Sequence, residues 1–188
     1  ISVAGSPYSL RNQLLNQDVP IVEMPKLDLK AIEAEDEIMD KEPDVPYRFG
    51  IEHDVNLNTE HSGLWINLVN GGRLWRLAIY APNALSINLV YDDFSIPEGS
   101  QFFLHNGNYD QILGAFTSRN NKSHRSFATA LTYGEMTYLE YYEPASVRGQ
   151  GVIQIDQVVH GYRSIFKSND QLNRSGPCNI DTECPEGN

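Results

Sequence analysis

Cysteine is almost missing from this chain: there are two in 188 residues, Cys178 and Cys184, both beyond the part that reads as folded. A structural zinc site wants four ligands, and no histidine lies near either cysteine in sequence, so a local zinc site is poorly served. Basic residues are also scarce. Lys and Arg number 14 against 25 Asp and Glu, a net charge of −11. Nucleic acid and anionic membrane surfaces both call for basic patches, so neither is an expected partner. The excess acid reads as a solvated surface and leaves room for a cationic partner. No run of apolar residues is long enough to span a bilayer. The N-terminal Ile1-Ser2-Val3-Ala4-Gly5 has neither a basic nor an apolar leader region, so a signal peptide was either never present or has been removed.

Catalytic signatures are missing too. There is no Gly-x-Ser-x-Gly elbow, no His-Glu-x-x-His and no phosphate-cradling glycine loop between a strand and a helix. The histidines, His53, His61, His105, His124 and His160, stand apart from one another. Asp92 and Asp93, with Glu140 and Glu143, invite a calcium or glycosidase reading. Adjacent residues of an extended strand point to opposite faces, however, and calcium wants six or more oxygens. No catalytic residue, metal or cofactor is therefore expected in this chain.

What is present is a β pattern. Hydrophobic residues make up 40% of the chain, enough for a core. Residues 1–46 are broken by Pro7, Pro20, Pro25, Pro43 and Pro46 and read as an extended arm lying on a surface. The arm carries one short helix, capped by Asp28 and ended by Lys41-Glu42-Pro43. From Tyr47 the pattern alternates. Strands are expected over 51–58, 64–69, 73–80, 85–91, 101–105, 111–117, 126–131, 136–142 and 152–162. Asn70-Gly71-Gly72 reads as a hairpin turn. On the strand over 73–80, Leu74, Arg76, Ala78 and Tyr80 face one way and Trp75, Leu77 and Ile79 the other. Short strands with turn signals and no helical crossovers predict an all-β fold, an antiparallel β-sandwich of jelly-roll type. Its expected interior includes Leu77, Ile79, Ile87, Leu89, Phe103, Phe127, Leu139 and Ile155. The sandwich should occupy 47–166, followed by a polar linker over 167–177.

The cysteines admit three readings: partners in a downstream domain, a local Cys178–Cys184 bridge, or free thiols. The first two imply an oxidising compartment. Segment 178–188 reads as the beginning of a further domain.

Cys178-Asn179-Ile180-Asp181-Thr182-Glu183-Cys184-Pro185-Glu186-Gly187 resembles the mature N-terminus of secreted bacterial lysyl-endopeptidase-like serine proteases of the trypsin fold. That start reads Cys-Asn-Ile-Asp, two variable residues, then Cys-Pro-Glu-Gly. Upstream, Gly5-Ser6-Pro7-Tyr8-Ser9, Val19-Pro20-Ile21-Val22-Glu23-Met24-Pro25, Tyr47-Arg48-Phe49-Gly50, Arg73-Leu74-Trp75-Arg76-Leu77, Leu113-Gly114-Ala115-Phe116-Thr117-Ser118 and Val159-His160-Gly161-Tyr162-Arg163 resemble the propeptides of those precursors. The resemblance implies that Cys178 and Cys184 form disulfides with a downstream protease domain, which also holds the catalytic triad. It implies a propeptide removed by processing, with Lys167-Ser168 and Arg174-Ser175 as candidate junctions. Arg174 beside the motif departs from simple self-cleavage after lysine.

The expected function is thus an intramolecular inhibitor and folding aid, secreted or periplasmic after signal-peptide removal, whose partner is its own protease domain. The alternative is a secreted carbohydrate-binding or adhesion sandwich, with exposed Trp65 or Trp75 as the glycan platform. Both tryptophans alternate with apolar residues, which equally suits a core position.

Overall fold

A computed structural model describes residues 5–12 and 18–164. It is an all-β sandwich of two sheets, with the N-terminal arm fastened around it. The elements run α1 (Tyr8–Asn12), β1 (Ile21–Glu23), α2 (Leu29–Met39), β2 (Gly50–Asn58), β3 (Leu64–Asn67), β4 (Arg73–Tyr80), β5 (Ser86–Ser95), β6 (Gln101–His105), β7 (Ile112–Phe116), β8 (Phe127–Ala128), β9 (Thr132–Tyr133), β10 (Met136–Glu143) and β11 (Val152–Gly161). One sheet has the order β1-β4-β10-β6-β7, with β3 also on β4; the other has β2-β11-β5-β8, with β9 also on β5. Early and late strands interleave in both, as in jelly-roll-like sandwiches.

The β3–β4 hairpin closes at the expected turn. Leu68 N–H bonds to Gly72 O at 2.9 Å and Gly71 N–H to Leu68 O at 3.0 Å. Asn70 Oδ1 accepts the Gly72 N–H, and Gly71 takes a φ of 79°, which favours glycine. Trp75, Leu77 and Ile79 point between the sheets, as their alternation predicts, and join Ile87, Leu89, Leu139 and Ile155 in the core. Phe127 packs against that core from a partly buried position. A bulge tunes β5. Gln154 pairs with Asp93 and Ile155 with Tyr91, so Asp92 is the extra residue. The parity of the strand flips there, and Tyr91 and Phe94, three apart, both turn inward.

Four expectations need correction. Phe103 does not enter the sandwich. It pairs with Glu140 on the outer face of its sheet, while its neighbours Phe102 and Leu104 enter the core. Phe103 is nevertheless buried, because the arm covers it: a Cβ placed on Gly5 would lie 3.4 Å from its ring. The expected strand over 126–131 is two short pieces, β8 and β9, both on β5. Ala128 and Thr132 pair with Val90 and Ile87, so the outer strand carries one residue too many to stay in register. The arm does not merely lie on a surface, since β1 adds a strand. Its pairing with β4 is parallel, the one departure from antiparallel order among the described strands. Lastly, the arm carries a second helical turn, α1, besides the expected α2.

Candidate functional site

On the outer face of β4, Leu74, Arg76 and Ala78 are buried like the inward residues. Arg76 projects from β4 beside Glu140 of β10, its register partner. His105 of β6 reaches the same carboxylate. Arg76 Nε lies 3.4 Å and His105 Nε2 3.5 Å from Glu140 Oε1. The other oxygen, Oε2, accepts the backbone N–H of Ser9 at 3.0 Å. Ser9 Oγ and the Tyr109 hydroxyl share a hydrogen bond at 3.0 Å. Tyr8 stacks on Tyr142 with ring centroids 5.4 Å apart. The arm thus plugs a charged patch that the sheet alone would leave open.

Burial alone would raise the Glu140 carboxyl. The close His105 ring nitrogen, the Ser9 hydrogen bond and the Arg76 charge outweigh it and hold the group below its ordinary value. Burial also raises the Tyr109 hydroxyl, with its Ser9 bond opposing. A cleft of about 370 Å³ opens beside this cluster, lined by Asp18, Val19, Ile21, Arg76, His105, Gly107, Tyr109 and Tyr138.

A serine, a histidine and a glutamate meet here, and their wiring decides what they can do. The His105 ring is sandwiched between Tyr109, at 4.3 Å, and Tyr138, at 5.2 Å. Its Nδ1 accepts the Gly107 N–H at 3.1 Å, so that nitrogen carries a lone pair and no proton. Its Nε2 faces Glu140. Neither nitrogen is turned to Ser9 Oγ, and a general base must touch the proton it takes. The arrangement is a latch that holds the arm, with its histidine fixed in one tautomer. Gly107 makes the stack possible: it has a φ of 89°, and a Cβ there would meet the Tyr138 ring at 2.8 Å.

Two further carboxylates are buried and held by several donors, Glu143 within the sandwich and Asp36 in the arm. Glu143, fully buried at the end of β10, accepts from Arg73 Nε at 2.7 Å, Gly149 N–H at 2.8 Å, Gly151 N–H at 3.0 Å and Tyr141 OH at 2.9 Å. Burial works against its ionised form, but these donors together lower its pKa. Asp36 of α2 accepts from Tyr162 OH at 2.6 Å and lies 2.8 Å from Arg48 and 3.0 Å from Arg163. Its carboxyl too is held below its ordinary value: burial opposes, and the Tyr162 and Arg48 hydrogen bonds prevail. This second latch fastens α2 to the end of β11.

Glu140 and Glu143 lie three apart on β10, with Glu143 paired to Arg73 and Glu140 to Arg76. They therefore occupy opposite faces of the sheet and cannot flank one glycosidic bond. Asp93 pairs with Arg125. Among the described residues no group of three or more His, Cys, Asp or Glu side chains is placed to hold a metal ion. Trp75 is fully buried, with its Nε1–H on Ser62 O at 2.6 Å. Trp65 is half-buried, and the Arg73 guanidinium sits 3.6 Å over its ring. His61 and His124 are exposed, while His53 and His160 face each other inside the second sheet. Lys167, Arg174, Cys178 and Cys184 lie outside the described residues. Sequence reasoning missed Arg76, Ser9, Tyr109 and Asp36. A charged residue alternating with buried ones, such as Arg76 between Trp75 and Leu77, was the available signal.

Fold and latches together define a β-sandwich module with a self-fastened N-terminal arm. No protein-family model matches the chain, and no solved structure matches it.

Proposed function

We propose that this chain is the propeptide of a secreted serine endopeptidase precursor, acting on its own downstream protease domain as intramolecular inhibitor and folding aid. The observation that carries the reading is the placing of its only two cysteines. Residues 1–177 contain none, and Cys178 and Cys184 stand within a segment that resembles the start of a trypsin-fold protease. A cysteine-free sandwich cannot supply their partners; a protease domain can. The polar tether over 167–177 keeps the sandwich at high effective concentration beside that domain, so a modest interface suffices until the tether is cut. Lys167 and Arg174 are the proposed processing sites, because long basic side chains suit an acidic trypsin-fold pocket. Ser9, His105, Glu140 and Asp36 are engaged in holding the arm, which suits a binding module.

The deciding experiment expresses the precursor with and without residues 1–166. The expected outcome is a protease that fails to mature without them, and a sandwich fragment that inhibits the mature enzyme in trans. A precursor that matures normally without them, together with a fragment that binds glycans and not protease, would establish the carbohydrate-binding alternative instead. The burial of Trp75 and the guanidinium over Trp65 leave that alternative without the platform first envisaged.

A further inference from the structure

The buried carboxylates described above all have charged partners, but the inner face of the β2–β11–β5 sheet holds a different kind of group. His53 of β2 pairs with Val158 of β11, and His160 of β11 pairs with Ile51 and Ile87. Val158 and His160 share a face, so the two histidines are diagonal neighbours inside the sandwich. Their ring centroids are 5.8 Å apart, tilted at 51°. His160 has no exposed surface, and Val158 and Ile87 beside it belong to the core. Among the described residues no acid forms an ion pair with either ring. The groups that face His160 are the His53 imidazole, the Pro82 carbonyl and, at longer range, Glu135. The Glu135 carboxylate is itself engaged by the Asn83 N–H.

We infer that the His53–His160 pair is a pH-sensitive element: the two rings are accommodated while neutral, and proton uptake opens this end of the sheet and the α2 latch attached to it. A cation at His160 would sit in the core beside a second imidazole, with a carbonyl and a distant carboxylate as its only compensation. The strand offers a direct mechanical link. Tyr162 and Arg163, two and three residues beyond His160, hold Asp36 of α2 together with Arg48. Movement of β11 at His160 therefore loosens α2 from the sandwich, while the Glu140 latch sits on the other sheet.

The sign follows from the direction of the shifts. Burial lowers both imidazoles below the ordinary 6.5, and at His160 the His53 charge adds to it, while the Pro82 carbonyl and Glu135 oppose. The unfolded chain then binds protons first. The stability is fully present above pH 6.5 and is lost as pH falls towards the depressed folded values. The inference concerns the sandwich itself and stands whether or not it is a propeptide.

Hydrogen exchange of the full chain at pH 7.5 and 5.5, corrected for intrinsic rates, tests it. Peptides covering 29–40 and 158–163 should exchange at least roughly tenfold faster at the lower pH, with those of β4 and β10 unchanged. The melting temperature should fall by roughly 3–8 °C over the same interval, and by less than half of that in His160→Leu. Uniform acceleration, a flat melting temperature or an unchanged slope in the variant would overturn the inference. Should His160→Leu not fold, imidazole NMR titration of the unaltered protein decides. Protonation of both rings below 6.5 supports the pair as the sensor, and protonation of either at or above 6.5 refutes it.

Discussion

Glu140 collects partners from three distant parts of the chain: Ser9 of the arm, Arg76 of β4 and His105 of β6. Both Arg76 and Glu140 are nearly inaccessible to solvent. Removing one partner of such a pair strands the other charge, at a cost of about 3–5 kcal/mol, whereas replacing both by apolar groups of similar volume costs far less. Glu140→Gln should therefore lower unfolding free energy by about 3 kcal/mol in denaturant titration. Arg76→Met combined with Glu140→Leu should recover most of that loss, while still releasing Ser9 from the carboxylate. At the same scale, Glu140, Glu143 and Asp36 all ionise more readily in the folded chain than their ordinary values of 4.5, 4.5 and 3.8. Their contribution is fully present above those values and fades as pH falls through the folded ones. Denaturation between pH 5 and pH 2 should thus show a steep acid limb, and Glu143→Gln should make it shallower.

Among elements, α2 was the most legible. Asp28 caps it as expected, its Oδ1 accepting the Ala31 N–H at 3.1 Å, and the helix ends at Met39, just before Lys41-Glu42-Pro43. Asp28→Ala should cost about 1 kcal/mol of helix stability, read as faster amide exchange in the first turn of α2 with the sheets unaffected. The strands were legible from alternation, and so was the inner face of β4, because one side of a strand in a sandwich must be apolar. What alternation could not reveal was which strands lie side by side. Arg76, His105 and Glu140 become neighbours only once β4, β10 and β6 are adjacent, and strand order is not written in any one segment. Phe103 was misassigned for a related reason. With Phe102 and Leu104 around it the whole run is apolar, and such a run is two-sided when something covers the outer face. The covering element is the arm, whose prolines masked its role. Between Pro20 and Pro25, Val22 and Met24 do point to the core and Ile21 and Glu23 away from it, a period-two pattern short enough to pass for a loop.

At the scale of the molecule, the arm and the sandwich form one fastened body, with buried carboxylates at both ends of the arm. Cys178 and Cys184 fall beyond the described residues. Under the propeptide reading, thiol titration of this chain alone should find two reactive or heterogeneously paired thiols, and quantitative Cys178–Cys184 pairing under mild oxidation would argue for a self-contained loop instead. Lys167→Ala with Arg174→Ala should leave the precursor uncleaved and of low activity, seen as a single unprocessed band with little turnover.

The strand orders also say something about time. β10 lies between β4 and β6 in one sheet, and β11 lies between β2 and β5 in the other. The last two strands made are therefore the central ones, and β2, β4, β5 and β6 each wait for a neighbour that a ribosome has yet to produce. A nascent chain halted before Val152 has β2 and β5 but nothing to join them, so it should stay unfolded. A version ending at residue 151 should show no cooperative melting. Folding of such a module is a late event that needs the chain to emerge past residue 164. Whatever is translated next comes out alongside a sandwich that has only just closed.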